Sequence, residues 1–162
     1  MTMMPESSRL AARPHWGVFP IPFVTHLGDG GRPDFRVHDE DRRMECARSH
    51  LCQLCGGSLS SDRVFVFVGT SASIQRHTFG EPPMHRECME FAWQVCPWLA
   101  GGGERRPIED GLVLTVVPPD GDRLMGVYAT AGYCVFPGKE GVILWEAWGP
   151  VEPVEFRERL SA

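Results

Sequence analysis

The chain contains no asparagine, only two tyrosines, and a single lysine among its sixteen basic residues. The missing asparagine excludes an HNH-type nuclease, which needs that residue beside a histidine pair on a metal-binding hairpin. Also lacking are a Gly-rich phosphate loop, a G-x-S-x-G elbow and a paired-histidine metalloprotease motif. No stretch approaches the ~18 apolar residues of a membrane span. The first fourteen residues, MTMMPESSRLAARP, lack the apolar middle of a signal peptide. They read as a flexible tail ahead of one domain over residues 15–162, and the cytoplasm is the expected location. Basic charge is scarce as well: 16 Lys and Arg against 21 Asp and Glu leave a formal charge of −5. A phosphate-binding surface usually shows a basic patch, so nucleic acid is a disfavoured partner. Arg42, Arg43 and Arg48 form the one notable cluster and read as a solvated helix face.

What the sequence does have is six cysteines, unevenly placed. Cys52 and Cys55 lie in LCQLCGG, a C-x2-C turn that brings two thiolates to one point, with Gly56 and Gly57 free to take positive φ after the second cysteine. Thirty residues on, EPPMHRECMEFAWQVCPWLAGG opens with His85 and Cys88, spaced i and i+3 so that both lie on one helical face. Pro82 and Pro83 suit the first turn of that helix, with Glu81, Glu87 and Glu90 near its positive end and Pro97 at its stop. Met84, Cys88, Ala92, Val95 and Leu99 trace an apolar face along it. Between the two pairs, Arg63–Gly69 alternates like a strand, a turn-rich stretch follows, and His77–Phe79 suffices for a second strand. Knuckle, hairpin and a helix whose first turn supplies two ligands form the layout of a treble-clef site. Three thiolates and an imidazole from Cys52, Cys55, His85 and Cys88 suit tetrahedral Zn²⁺ and leave no open position for water or substrate. Metallation makes the formal charge one unit more negative, since three thiolates outweigh a dication.

A redox C-x2-C pair is the competing interpretation, and His50 and His77 are candidate substitute ligands that break the paired spacing. His85-Arg86-Glu87 also matches the H-x-E of zinc deaminases, but there the C-x2-C follows, whereas here it precedes and Cys88 fills the fourth position. Glu87 is therefore expected to be a solvated first-turn carboxylate. Three cysteines remain outside the site, an odd number that argues against a disulfide framework and for a reducing compartment. Cys96 and Cys134 read as small buried apolar residues, and a fallback-ligand role is the weaker reading of Cys46, beside the knuckle.

The predicted fold class is α+β: a treble-clef zinc knuckle packed with an antiparallel β-sheet and a few short helices. Residues 16–37 predict one hairpin around GDGGRP, with Pro20 and Pro22 confining its first arm to an edge. HDEDRRMECARSH follows as a helix with Asp39 at its N-cap. The zinc unit spans 51–99, GGGERRP is a flexible joint, and a strand-rich part fills 107–162, with GVYATAGYCVF and GVILWEAW as buried strands. VEPVEFRERL predicts a short terminal helix with Pro153 in its first turn. No internal repeat is visible.

The hairpin ending in PDFRV, the short helix, LCQLCGGSL, the strand, the EPP-x-H-x2-C-x3-A run and the C-P-x-L after it together resemble a group of uncharacterised bacterial and phage-encoded treble-clef zinc-knuckle proteins. The resemblance covers residues 20–99 well and the C-terminal third loosely, and departs around His15, His26 and His77. It implies the fold and the ligands Cys52, Cys55, His85 and Cys88, and no activity. On function, the leading expectation is a non-catalytic interaction or regulatory module with a protein partner. The alternative is a small-molecule-modifying enzyme whose five Trp, Phe19, Phe23 and Tyr133 line a pocket served by His15, His26, His38 or His77. A weak nucleic-acid binder comes third. His15 and His26 are not expected to converge with a third polar group.

Overall fold

In the computed structural model, residues 7–96, 106–108, 112–114, 125–129 and 131–153 are described. The mixed α+β architecture consists of small antiparallel sheets and a few short helices. Chain entry is a short helix, α1 (Ser8–Ala11), capped by the Ser7 side chain on Leu10 N. The segment read as a flexible tail thus contains a helix, and Leu10 is buried in the same apolar cluster as Cys52 and Cys88. One leucine gives this polar stretch an anchor that composition does not show.

Two hairpins replace the single one expected over residues 16–37. The first joins β1 (His15–Trp16) to β2 (Phe19–Pro20) across Gly17, which has a φ of 60°. The second joins β3 (Thr25–Leu27) to β4 (Pro33–His38) around the anticipated GDGGRP turn. Gly28 N–H closes that turn on Arg32 O at 2.8 Å. A turn with the same form, Gly138 N–H on Val142 O at 2.6 Å, joins two strands near the other end of the chain. The two loops share left-handed residues at their third and fourth positions, a backbone likeness invisible as a sequence repeat.

Helix α2 (Glu40–Ser49) follows as expected, with Asp39 Oδ1 accepting from Arg42 N at 3.1 Å. It ends at His50 in a left-handed conformation. The arginine cluster on α2 is not a uniform solvated face. Arg43 is buried, its guanidinium donating to Gly80 O and Ile143 O and lying 4.9 Å from the Trp145 ring centroid. Three carbonyl and aromatic partners offset the cost of burying the charge.

The region between the two cysteine pairs also departs from expectation. Strand β5 (Phe65–Gly69) does not form a hairpin with β6 (Thr78–Phe79). The stretch between them is a helix, α3 (Ser71–Arg76), capped by Thr70. Strand β5 pairs instead with β9 (Met125–Ala129), which also carries β12 (Val151–Pro153). Strand β6 pairs with β11 (Ile143–Ala147), whose other neighbour is β10 (Tyr133–Pro137). GVYATAGYCVF is accordingly two strands, broken where Gly132 takes a φ of 109°. Val151–Pro153 is strand where a helix start was expected, and residues 154–162 lie outside the described residues. The expected flexible joint ends in strand: β7 (Arg106–Ile108) pairs with β8 (Leu112–Leu114). Cys96 and Cys134 are only half-buried, whereas Cys46 is buried and burial pushes its thiol up to about 12.

Candidate metal centre

The site is built from backbone outward. Residues 51–58 form a tight knuckle: Leu51 and Ser58 bridge, Gly56 N–H bonds Cys52 O at 2.9 Å, and Cys52 N–H bonds Gly57 O at 2.9 Å. Gly56 has a φ of 72°, and a Cβ there would meet the Phe23 ring at 2.7 Å, so the position requires glycine on both counts. Phe23 and Val24 donate their N–H groups to Leu54 O and Gln53 O, seating the second hairpin on the knuckle.

The other pair arrives differently from the sequence expectation. Helix α4 (Arg86–Val95) begins after both prolines, with His85 as its N-cap. Pro82 and Pro83 are buried in an extended run, and Met84 forms an antiparallel bridge to Val66 on β5. Proline disfavours helical conformation in the residue before it, and the bridge to Val66 occupies Met84. Gln53 ties this run to the knuckle, its Nε2 donating to Pro82 O at 2.6 Å. Only Cys88 therefore comes from the first helical turn, while His85 precedes it. The His85 side chain makes no capping bond and is free to face the cysteines. Cys88, Met89 and Phe91 form the buried side of α4, and Pro97 and Leu99 lie outside the described residues.

Ligand atoms of Cys52, Cys55, His85 and Cys88 all lie within 4.8 Å of one another. His85 Nδ1 is 3.3 Å from Cys55 Sγ and 3.9 Å from Cys88 Sγ. A tetrahedral zinc with normal bond lengths sets such N···S separations at about 3.6 Å, midway between the two. Cys52, Cys88 and His85 are buried and Cys55 is half-buried, with Gly57 N–H donating to its Sγ at 3.3 Å.

Electrostatics point to a cation. Hydrogen bonds from the Cys52 and Cys88 thiols hold Cys55 far below the usual thiol range, while Cys52 and Cys55 push Cys88 far above it. Three converging sulfurs cannot all ionise in a buried space without a positive charge among them. Burial opposes protonation of His85, but the Cys52 and Cys55 sulfurs outweigh it and raise the ring to about 10. A dication would take the place of that proton and offset two of the three thiolate charges. The Cys3His donor set thus fits a metal ion by distance, burial and charge.

The other candidates lie elsewhere. His50 is exposed, its Nδ1 3.0 Å from Tyr133 Oη. His77 caps α3 and accepts Ala147 N–H at its carbonyl. His15 is exposed, with Nδ1 2.7 Å from Arg13 O, and His26 is exposed on β3. His38 pairs with Glu81 at 2.9 Å, so Glu81 serves that ion pair and not the helix end. Glu87 is half-exposed and paired with Arg9 at 3.1 Å, which places it away from the sulfurs. Sequence reasoning missed one neighbour of the site: Asp62, whose Oδ2 lies 3.2 Å from His85 Nε2. No spacing rule marks it, because outer partners of a ligand follow no fixed motif. Among the described residues, this is the single group of three or more His, Cys, Asp or Glu side chains close enough to hold a metal, and no helix is long and apolar enough to cross a membrane. Comparison with protein-family models, with curated proteins and with solved structures finds no match to this chain.

Proposed function

We propose that this protein is a small zinc module, with one structural Zn²⁺ held by Cys52, Cys55, His85 and Cys88 in a treble-clef-type setting. Its role is interaction or regulation through a protein partner; the zinc-knuckle group that it resembles bears on the fold and the ligands and not on this role. The observation that carries this reading is the convergence of four protein ligand atoms within 4.8 Å. Zinc with four protein ligands has no position for water or substrate, so it supplies a cross-link and not a Lewis acid. That cross-link would tie the knuckle to α4, beside the bonds from the Gln53 side chain and backbone to Pro82 O and Pro83 O in the run ahead of the helix.

Binding of nucleic acid is a second reading with one observation in its favour. Arg13 and Arg42 both lie over the Phe23 ring, at 5.5 and 5.6 Å, beside the knuckle. Both guanidiniums also donate to backbone carbonyls, of Ile21 and Phe23, which makes them braces for the hairpin first. The formal charge of −5 ranks this reading below a protein partner.

The test is to cross-link zinc-loaded and chelator-stripped protein in its own cell extract, and to titrate the loaded form with duplex DNA at physiological salt. The reading expects one protein partner captured by the zinc-loaded form and lost on stripping, with negligible DNA binding. Tight DNA binding at that salt, or turnover of a small molecule that survives removal of the zinc, contradicts it.

A further inference from the structure

The two nitrogens of His85 face different surroundings. Nδ1 looks at the Cys55 and Cys88 sulfurs, whereas Nε2 lies 3.1 Å from Ser58 O and 3.2 Å from Asp62 Oδ2. That carboxylate oxygen is buried and makes no aligned hydrogen bond, its close contact being the His85 ring, although 30 % of the Asp62 side chain is exposed. A buried carboxylate oxygen left unpaired is costly, and the His85 ring is a donor within reach of it. Asp62 is not there by the drift of a loose loop. Leu59 is fully buried, Asp62 N–H closes a turn on Leu59 O at 3.0 Å, and Ser60 N–H bonds Ser58 Oγ at 3.2 Å.

We infer that Asp62 is a positioning residue for the metal centre: with Ser58 O it accepts the Nε2–H of His85, which keeps that proton on Nε2 and presents the Nδ1 lone pair to the ion. This rests on the zinc reading above. A neutral imidazole carries one N–H, and the nitrogen that keeps it is set by the hydrogen bond offered on the other side of the ring. A carboxylate acceptor also makes the ligating nitrogen more basic and fixes the plane of the ring. Both effects strengthen the metal bond without Asp62 touching the metal. The Ser58 carbonyl alone would hold the tautomer more weakly, being uncharged.

The test compares wild type, Asp62→Asn and Asp62→Ala as full chains, each competed for zinc against a chromophoric chelator. Loss of such a partner costs about 10–100-fold in metal affinity, and with Ser58 O still present the lower end is expected for Asp62→Ala. Asp62→Asn keeps an acceptor oxygen and should recover part of that loss. A long-range ¹H–¹⁵N spectrum of zinc-loaded wild type should show His85 protonated at Nε2 and metal-bound at Nδ1, a signature that packing alone does not set. If Asp62→Ala does not fold, the wild-type spectrum and the Asp62→Asn affinity decide. Equal zinc affinity in all three proteins, or zinc on Nε2, overturns this inference and leaves the zinc reading intact. A wild type that takes up no zinc overturns both.

Discussion

His38 and His85 show how the same side chain is given different work by its neighbours. His85 is buried among sulfurs and turns one nitrogen to each side of a wall. His38 sits at the end of β4, partly exposed, and pairs with Glu81 Oε2 at 2.9 Å. The hydrogen bond to Glu81 outweighs partial burial and raises the His38 pKa above its ordinary value. Glu40 adds to the rise and Arg43 opposes it, so the charged groups around His38 are few and known. Because the folded pKa is the higher one, the ion pair stabilises fully below the unfolded value of about 6.5 and is lost as pH rises through the folded pKa. Urea unfolding of zinc-loaded protein at about pH 6 and about pH 8 should therefore show a fall in stability that His38→Gln lacks. An identical fall in the variant would place its origin elsewhere. Acid acts oppositely at the metal centre, where protons compete with the ion for thiolates and imidazole, so the comparison belongs above the pH of zinc release.

At the scale of elements, Arg43 links three that are far apart in sequence. Its guanidinium, carried on α2, bonds the carbonyls of Gly80 and Ile143 and stacks over Trp145 of β11. Hydrogen bonds to a buried charged group are worth about 1.5–3 kcal/mol each way of breaking them, and removal here orphans two carbonyls. Arg43→Ala should cost about 2–4 kcal/mol in chemical denaturation by that measure, and Arg48→Ala, exposed on the same helix, within about 0.5 kcal/mol. Equal costs would show Arg43 to be a surface residue. This role was illegible beforehand, since a run of arginines in a helix reads as solvated until its tertiary partners are known. The same holds for pairing. C-x2-C, H-x2-C and the Asp39 cap were readable because each is a local geometric demand. The partners of β5 and β6 were not, because β9 and β11 lie some sixty residues further along and no short-range signal selects them. Helix α3 escaped notice for being six residues long, below the length at which periodicity speaks. His85 was placed inside the first turn of α4 and instead caps it, because the bridge between Met84 and Val66 is again a tertiary fact.

At the scale of the whole molecule, the described residues form two apolar clusters that meet along β5. Val66 belongs to the cluster holding Cys52, Cys88, Leu59 and Met89, and Phe67 to the one holding Phe79, Tyr133, Trp145 and Ala147. Successive strand residues point to opposite faces, so β5 separates the metal side from the cluster around Phe79 and Trp145. Cys52 and Cys88 are candidate ligands as well as core residues, so a bound ion would be part of the packing on one side of that strand. A structural zinc contributes about 10–16 kcal/mol to folding, comparable to the ~5–15 kcal/mol net stability of an ordinary domain. Loss of the ion should therefore undo the Val66 side first, with amide exchange rising at Val66 and Met84 before it rises in β10 and β11. Simultaneous exposure of both clusters would mean that the ion holds the whole chain and not one side of it.

The central claim is that Cys52, Cys55, His85 and Cys88 hold one zinc. Native mass spectrometry of protein purified without added metal, alongside Cys88→Ser and Cys134→Ser, tests it most directly. The account predicts one zinc per chain in wild type and in Cys134→Ser, and none retained in Cys88→Ser. A metal-free wild type, a different metal or cluster, or zinc that persists at full occupancy in Cys88→Ser would contradict it.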